Sequence, residues 1–177
     1  MKQIQLQNLD PSDLSFCWSI LESWSIEDRI KNGFAQSSAT IESFIQDYGG
    51  YCVRLDPTAN QNIDTRCGFC FIRPIGEACE IGKAGEHTHS VKIAEILLIA
   101  VHEKLSRLGL GTMIMKAIID DLQKRQFHEV WLEVHAENQR AIALYQKVGF
   151  VVTSKRPKYY PDGADALNLK LAFNVPA

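Results

Sequence analysis

Polar and apolar residues alternate over residues 2–7, Lys2-Gln3-Ile4-Gln5-Leu6-Gln7, and a period of two predicts a short strand. Asp10 followed by Pro11 offers an N-cap and a proline at the first helical position. Leu14, Cys17, Ile20 and Leu21 then recur on one face, which predicts a helix through about Trp24. Residues 25–36 are ambiguous and allow a second short helix. Ile41, Phe44 and Ile45 predict a helix over 40–47 that Gly49-Gly50 ends. Strands are predicted over 51–55 and 67–75, with turn chemistry between Asp56-Pro57 and Asn62. Pro74 and Gly76 are expected to interrupt the second strand, and residues 77–90 read as a polar loop of unusual length for a compact domain.

The second half is sharper. Residues 93–101 form an almost continuous apolar run, the pattern of a strand buried on both faces at the centre of a sheet. Over 109–125, Leu110, Ile114, Ala117, Ile118 and Leu122 line one helical face, while Lys116, Asp120, Gln123 and Lys124 point away. A strand over 128–135 follows. Asn138 can cap a helix through Lys147, with Gly149 as its stop. Two further strands over 150–154 and 167–173 are joined by a Lys/Arg/Pro/Tyr-rich connection. The order is mixed αβ without repeats or a dividing linker, so one domain over 1–177 is expected.

Composition narrows the function classes. With 177 residues, 46% hydrophobic and 23% charged, the chain can bury a real core, which excludes a disordered tail or a disulfide-dense miniprotein. A net charge of −2 leaves no bulk basic field for nucleic acid. No stretch has the length of a membrane span, and the first residues lack the apolar core of a signal peptide. The five cysteines, Cys17, Cys52, Cys67, Cys70 and Cys79, are odd in number and scattered, so they are expected to be reduced in a cytoplasmic protein.

Three local signals carry chemistry. The first is Ser106-Arg107-Leu108-Gly109-Leu110-Gly111-Thr112 between the predicted central strand and a helix. Glycines at such a turn let backbone N–H groups approach an anion, and the helix N-terminus adds partial positive charge. A Walker A loop is excluded because Thr112-Met113 follow Gly111, and a dinucleotide fingerprint because Ile114 stands where a small residue is needed. The second is Trp131-Leu132-Glu133-Val134, where Trp131, Glu133 and His135 share one strand face. A carboxylate beside an indole could be desolvated into a general base, or it could be a solvated glutamate on an outer face. The third is the stripe Ala141, Leu144, Tyr145 and Val148, in which Tyr145 can be a core tyrosine or a catalyst.

Other residues have plainer readings. Cys67 and Cys70 have CxxC spacing but should face opposite sides of a strand, which favours buried structural thiols over zinc or redox use. His87 and His89 in the polar loop lack a second ligand pair, and no metal is expected. His135 reads as an ordinary surface histidine, with proton relay as the sharper alternative. Lys155, Arg156 and Lys158 form a small basic cluster that is either solvated or faces phosphate or an acidic acceptor.

Taken in order, Gly109-Leu110-Gly111, Trp131-Leu132-Glu133-Val134, Asn138, Ala141-Ile142-Ala143-Leu144-Tyr145 and Gly149-Phe150 resemble the GNAT acetyltransferases over residues 93–173. With Tyr159-Tyr160-Pro161 and Asp165-Ala166 the chain is similar to the RimI-type ribosomal-protein-alanine N-acetyltransferases. The resemblance implies a central, mostly antiparallel sheet of six or seven strands, splayed between the fourth and fifth and flanked by about four helices. It implies acetyl-CoA as donor, with backbone near Ile99, Ala100 and Val101 holding the pantetheine arm. The backbone of Ser106, Arg107, Leu108, Gly109, Leu110, Gly111 and Thr112 would hold the pyrophosphate, with a contact from Asn138. It makes Glu133 the base, acting through water, and Tyr145 the acid for the departing thiolate. Tyr159 and Tyr160 would close over the acceptor, a protein N-terminus such as that of a ribosomal protein. A monomer or homodimer is expected, without direct nucleic-acid or membrane binding.

The chain departs from the family pattern in places. Ser106 stands where Gln or Arg is usual, Gln126-Phe127 replaces a glycine helix stop, and segments 23–39 and 77–90 are long. Two alternatives follow: an acetyltransferase acting on lysine or a small amine, and an inactive acyl-CoA-binding module. Glu133, Asn138 and Tyr145 weigh against the second.

Overall fold

A computed structural model describes residues 4–31, 38–55, 65–79 and 90–174. Among them run β1 (Ile4–Asn8), α1 (Leu14–Glu22), α2 (Ile26–Lys31), α3 (Ser38–Asp47), β2 (Gly50–Leu55), β3 (Arg66–Cys79), β4 (Ser90–Val101), α4 (Leu110–Lys124), β5 (Glu129–His135), α5 (Gln139–Lys147), β6 (Val151–Arg156) and β7 (Ala166–Ala172). The strands form one sheet in the order β1-β2-β3-β4-β5-β7-β6. Every pairing is antiparallel except β4 with β5. The expected mixed αβ sheet is therefore present, with five helices because the ambiguous stretch after Trp24 contributes the short α2.

Helices cover both faces. α4 and α5 pack Leu110, Ile114, Met115, Ile118, Leu122, Ile142 and Tyr145 against Val130, Leu132 and Val134 of β5. On the other face α1 and α3 bring Cys17, Ile20, Leu21, Ile41 and Ile45 onto Phe69, Phe71, Leu98 and Ala100. The alternation of β5 thus works as its sequence indicates, with Val130, Leu132 and Val134 in the core and Trp131 and Glu133 on the opposite face.

Three readings need correction. β3 runs through Pro74 and Gly76 because a bulge absorbs them: Pro74 faces Ala94 and Gly76 faces Ile93, leaving Ile75 as the extra residue. β3 and β4 also extend into the stretch read as loop, claiming residues 77–79 and 90. His87 and His89 lie outside the described residues, as do 32–37 and 56–64. Cys67 and Cys70 do not face opposite ways. A register shift between Val53 and Arg54 leaves Cys67 unpaired, and both thiols join the cluster under α4. They remain free, buried thiols, each donating to a backbone carbonyl.

The missing helix-stop glycine has a physical substitute. Gln126 itself adopts the left-handed conformation, with φ of 62°. Phe127 N–H donates to Leu122 O and Gln126 N–H to Gln123 O, both at 3.0 Å, closing a Schellman motif with a non-glycine residue.

Candidate active site

β4 and β5 pair only from Ile93 opposite Glu129 to Ile96 opposite Leu132. Beyond that point each strand keeps its outer neighbour: β4 stays with β3 as far as Val101, and β5 stays with β7 as far as His135. The two central strands therefore diverge and leave a gap in the middle of the sheet. A bulge at Leu97 sharpens it, since Phe71 faces Leu98 while Ile72 faces Ile96. Ala94 and Ile96 pack toward α4, whereas Leu98 and Ala100 pack toward α1. His102 N–H donates to Cys67 O of the β3 strand. By alternation Ala100 directs its backbone to β3, while Ile99 and Val101 direct theirs into the gap. The Val101 carbonyl there accepts the Trp24 indole N–H at 2.9 Å. Trp24, which sequence reasoning missed, ties the segment between α1 and α2 to the end of β4.

The glycine loop lies beyond that end. Ser106 closes a 3-10 turn, its N–H donating to Glu103 O at 2.8 Å, so this N–H is already engaged. Arg107, with φ of 64°, and Gly109, with φ of 77°, are both left-handed, and Leu108 between them is exposed. Gly109 is the N-cap of α4 and provides no side-chain cap. The N–H groups of Leu110, Gly111 and Thr112 precede the first intrahelical bond, from Met113 to Gly109. These donors and the dipole of a 15-residue helix give the start of α4 the chemistry that suits an anion. Gly111 has a different reason to be glycine: a Cβ there would stand 2.8 Å from Leu144 Cδ1, so it lets α5 approach α4. Asn138 is the N-cap of α5 and accepts the Ala141 N–H at 3.1 Å.

A pocket opens in the gap, lined by Lys31, Ile96, Leu97, Leu98, Ile99, Leu132, Glu133, Val134, Tyr145 and Tyr160. Glu133 projects from β5 and Tyr145 from α5 on the opposite face, so the gap brings together two groups that the sheet would otherwise separate. Tyr145 is buried, and desolvation first, then Cys70 and Tyr160, pushes its hydroxyl well above the ordinary tyrosine value. It keeps its proton at every physiological pH. Glu133 is neither a fully solvated surface carboxylate nor tied to the indole. Arg156 Nη1 lies 2.6 Å from its Oε1, and the Tyr159 hydroxyl also bonds to it. Trp131 instead donates to Glu129 at 2.9 Å, with Lys170 over its ring.

The connection between β6 and β7 supplies the remaining wall. Tyr160 is buried, Tyr159 is half exposed, and their rings meet edge to face at 5.2 Å. The Arg156 guanidinium lies 4.1 Å above the Tyr159 ring. The basic cluster is largely neutralised within the chain, since Lys155 pairs with Asp165 as Arg156 does with Glu133. His135 is fully buried, not a surface residue, because the β6–β7 connection folds over the end of β5. Lys31, which pairs with Glu27 at 2.6 Å, closes the pocket from α2. No cluster of metal-ligating side chains occurs among the described residues.

Comparison with known proteins agrees with this geometry. A model of the acetyltransferase (GNAT) family matches residues 5–150. The chain is 35% identical over 106 residues to N-alpha-acetyltransferase 30 of Xenopus laevis, covering 58% of this chain and 39% of that protein. It is 41% identical over 85 residues to the ribosomal protein bS18-alanine N-acetyltransferase of Escherichia coli K12, covering 46% of this chain and 57% of that protein. Each match thus spans less than two thirds of the relative's own length. The crystal structure of the ribosomal-protein-S18-alanine N-acetyltransferase from Escherichia coli superposes with a TM-score of 0.70 and 25% identity, over 99% of this chain and 97% of that one. The chain belongs to the acetyltransferase (GNAT) family.

Proposed function

We propose that the protein transfers an acetyl group from acetyl-CoA to the α-amino group of a protein N-terminus, by direct attack within a ternary complex. One observation carries the reading: the gap between β4 and β5 joins an anion site at the start of α4 to a pocket holding both a carboxylate and a neutral, buried phenol. The residues fit the donor. The first-turn N–H groups of α4 suit a pyrophosphate, and the backbone of Ile99 facing the gap suits the amide-rich pantetheine arm.

Acetyl-CoA, when bound, supplies an electrophilic thioester carbonyl. Backbone groups of β4 at the gap polarise that carbonyl. Glu133 takes the proton from the acceptor amine, through a water, as the N–C bond forms. Tyr145 gives its proton to sulfur as the C–S bond breaks. No cysteine is required as a nucleophile. An α-amine with pKa about 8 is about one tenth neutral at pH 7, whereas a lysine amine near 10.4 is neutral in fewer than about one molecule in a thousand. A single carboxylate already shared with Arg156 suits the more acidic amine. The relatives whose names specify N-terminal or ribosomal-protein-alanine acetylation support the same acceptor class.

The experiment is thiol release from acetyl-CoA in the presence of N-terminal peptides, Nα-blocked lysine peptides and polyamines. Release with free N-terminal peptides, those beginning with alanine included, is the expected result. Release only with lysine peptides or polyamines contradicts the reading.

A further inference from the structure

We propose that His135 is a positioning residue: acting through Asp162 and Tyr160, it fixes the wall of the pocket that receives the acceptor. The inference rests on the acceptor reading of that pocket. His135 ends β5 two positions after Glu133 and is completely buried. Its Nδ1 accepts the backbone N–H of Glu137 at 3.1 Å, which leaves the proton on Nε2. Nε2–H donates to Asp162 Oδ2 at 2.9 Å. The flat of the ring meets Tyr160, with centroids 4.7 Å apart and planes tilted by 38°.

Both of those partners belong to one turn. Asp162 Oδ1 accepts the Ala164 N–H at 3.0 Å, Tyr160 N–H donates to Ala164 O at 3.0 Å, and Gly163 N–H donates to Tyr160 O at 2.9 Å. The turn is therefore tied together by its own bonds, and the imidazole meets it by an edge and a face at once. Tyr160 lines the pocket together with Glu133 and Tyr145. The imidazole thus sets the spacing between the strand carrying Glu133 and the aromatic wall opposite it. An apolar residue could fill the same volume, but it could not orient Asp162. Burying a polar ring is favourable only when its nitrogens are bonded, as both are here. The first turn of α4, which follows β4, shares none of these contacts.

The test uses the full chain with an N-terminal peptide as acceptor, measuring kcat, acceptor KM and acetyl-CoA affinity by calorimetry. Asp162 is partly exposed, so Asp162→Ala leaves no buried hole. It is expected to raise acceptor KM about tenfold, the scale of one lost charge-assisted hydrogen bond, with kcat within about twofold and acetyl-CoA affinity unchanged. His135→Phe keeps the ring packing without the hydrogen bonds and is expected to match Asp162→Ala, with no further loss in the double variant. Unchanged KM in Asp162→Ala, a loss confined to kcat, or additive losses in the double variant each overturn the proposal while the acceptor reading stands. A wild-type chain that turns over no N-terminal peptide overturns both.

Discussion

The two parts of the gap that we assign to donor and acceptor are built from different material. At the donor end the parts are backbone: left-handed Gly109, the unbonded N–H groups that open α4, and the carbonyl and amide groups of a strand whose neighbour has diverged. At the acceptor end they are side chains from separate segments: Lys31, Glu133, Tyr145, Arg156, Tyr159 and Tyr160. A backbone site constrains spacing and leaves a signature in the sequence. A side-chain site constrains only where distant segments meet, and its partners can change without leaving a local trace.

The largest effect that would sharpen this contrast is expected at the carboxylate. Glu133→Gln keeps the shape, so kcat should fall by about a hundredfold or more while acetyl-CoA affinity in calorimetry stays the same. Tyr145→Phe should lower kcat in the same direction with the fold intact by circular dichroism. Next comes the donor loop. A Cβ at Gly109 meets nothing within 4 Å, so Gly109→Val acts through conformation alone. A left-handed valine costs about 1–2 kcal/mol, so acetyl-CoA should bind about five- to thirtyfold more weakly while kcat at saturation stays near wild type. A fall in kcat with unchanged affinity would break the contrast. Gly111 is a poorer probe, because a Cβ there would stand 2.8 Å from Leu144 Cδ1 on the helix carrying Tyr145, so packing and conformation would change together.

A smaller effect concerns buried groups around β2 and β3, away from the pocket. Burial raises the Cys67 thiol from 9.0 to about 11 and the Cys17 thiol to about 12, and it lifts the Tyr51 hydroxyl from 10.0 to about 12. Above pH 9 the unfolded chain releases these protons first, so it binds fewer protons than the folded chain and stability declines as pH rises. The melting temperature should be steady from pH 7 to 8.5 and fall progressively between pH 9 and 12; a flat profile in calorimetry contradicts the burial of these groups. The smallest effect lies outside both ends. Gln126→Gly relieves a left-handed glutamine and should stabilise the fold by about 1 kcal/mol in urea unfolding, without changing any kinetic constant.

The legibility of the sequence follows the same division. The strand 93–101, the helix after Gly109, the strand bearing Glu133 and the helix capped by Asn138 were all readable, because hydrophobic period and cap chemistry are local. The bulges were not. Leu97 and the shift at Cys67 reverse alternation without any compositional mark, so a period of two sends the two thiols to opposite faces; Pro74 and Gly76 do mark the bulge at Ile75, but they read equally as the end of a strand. Glu133 and Tyr145 could be named from motif order, yet Arg156 as the partner of Glu133 could not, since 23 residues separate them and only the pairing of β6 and β5 with β7 brings them together. His135 misled for a similar reason: its burial comes from a turn 27 residues later. Trp24 carried no signal at all, since its partner is a backbone carbonyl 77 residues away.

The pocket's choice of amine is the property on which the proposed activity turns. A peptide carrying a free N-terminal alanine and an internal lysine, incubated with the protein and acetyl-CoA and sequenced by tandem mass spectrometry, should carry acetyl on the α-nitrogen alone. Acetyl found only on the lysine side chain would contradict the account.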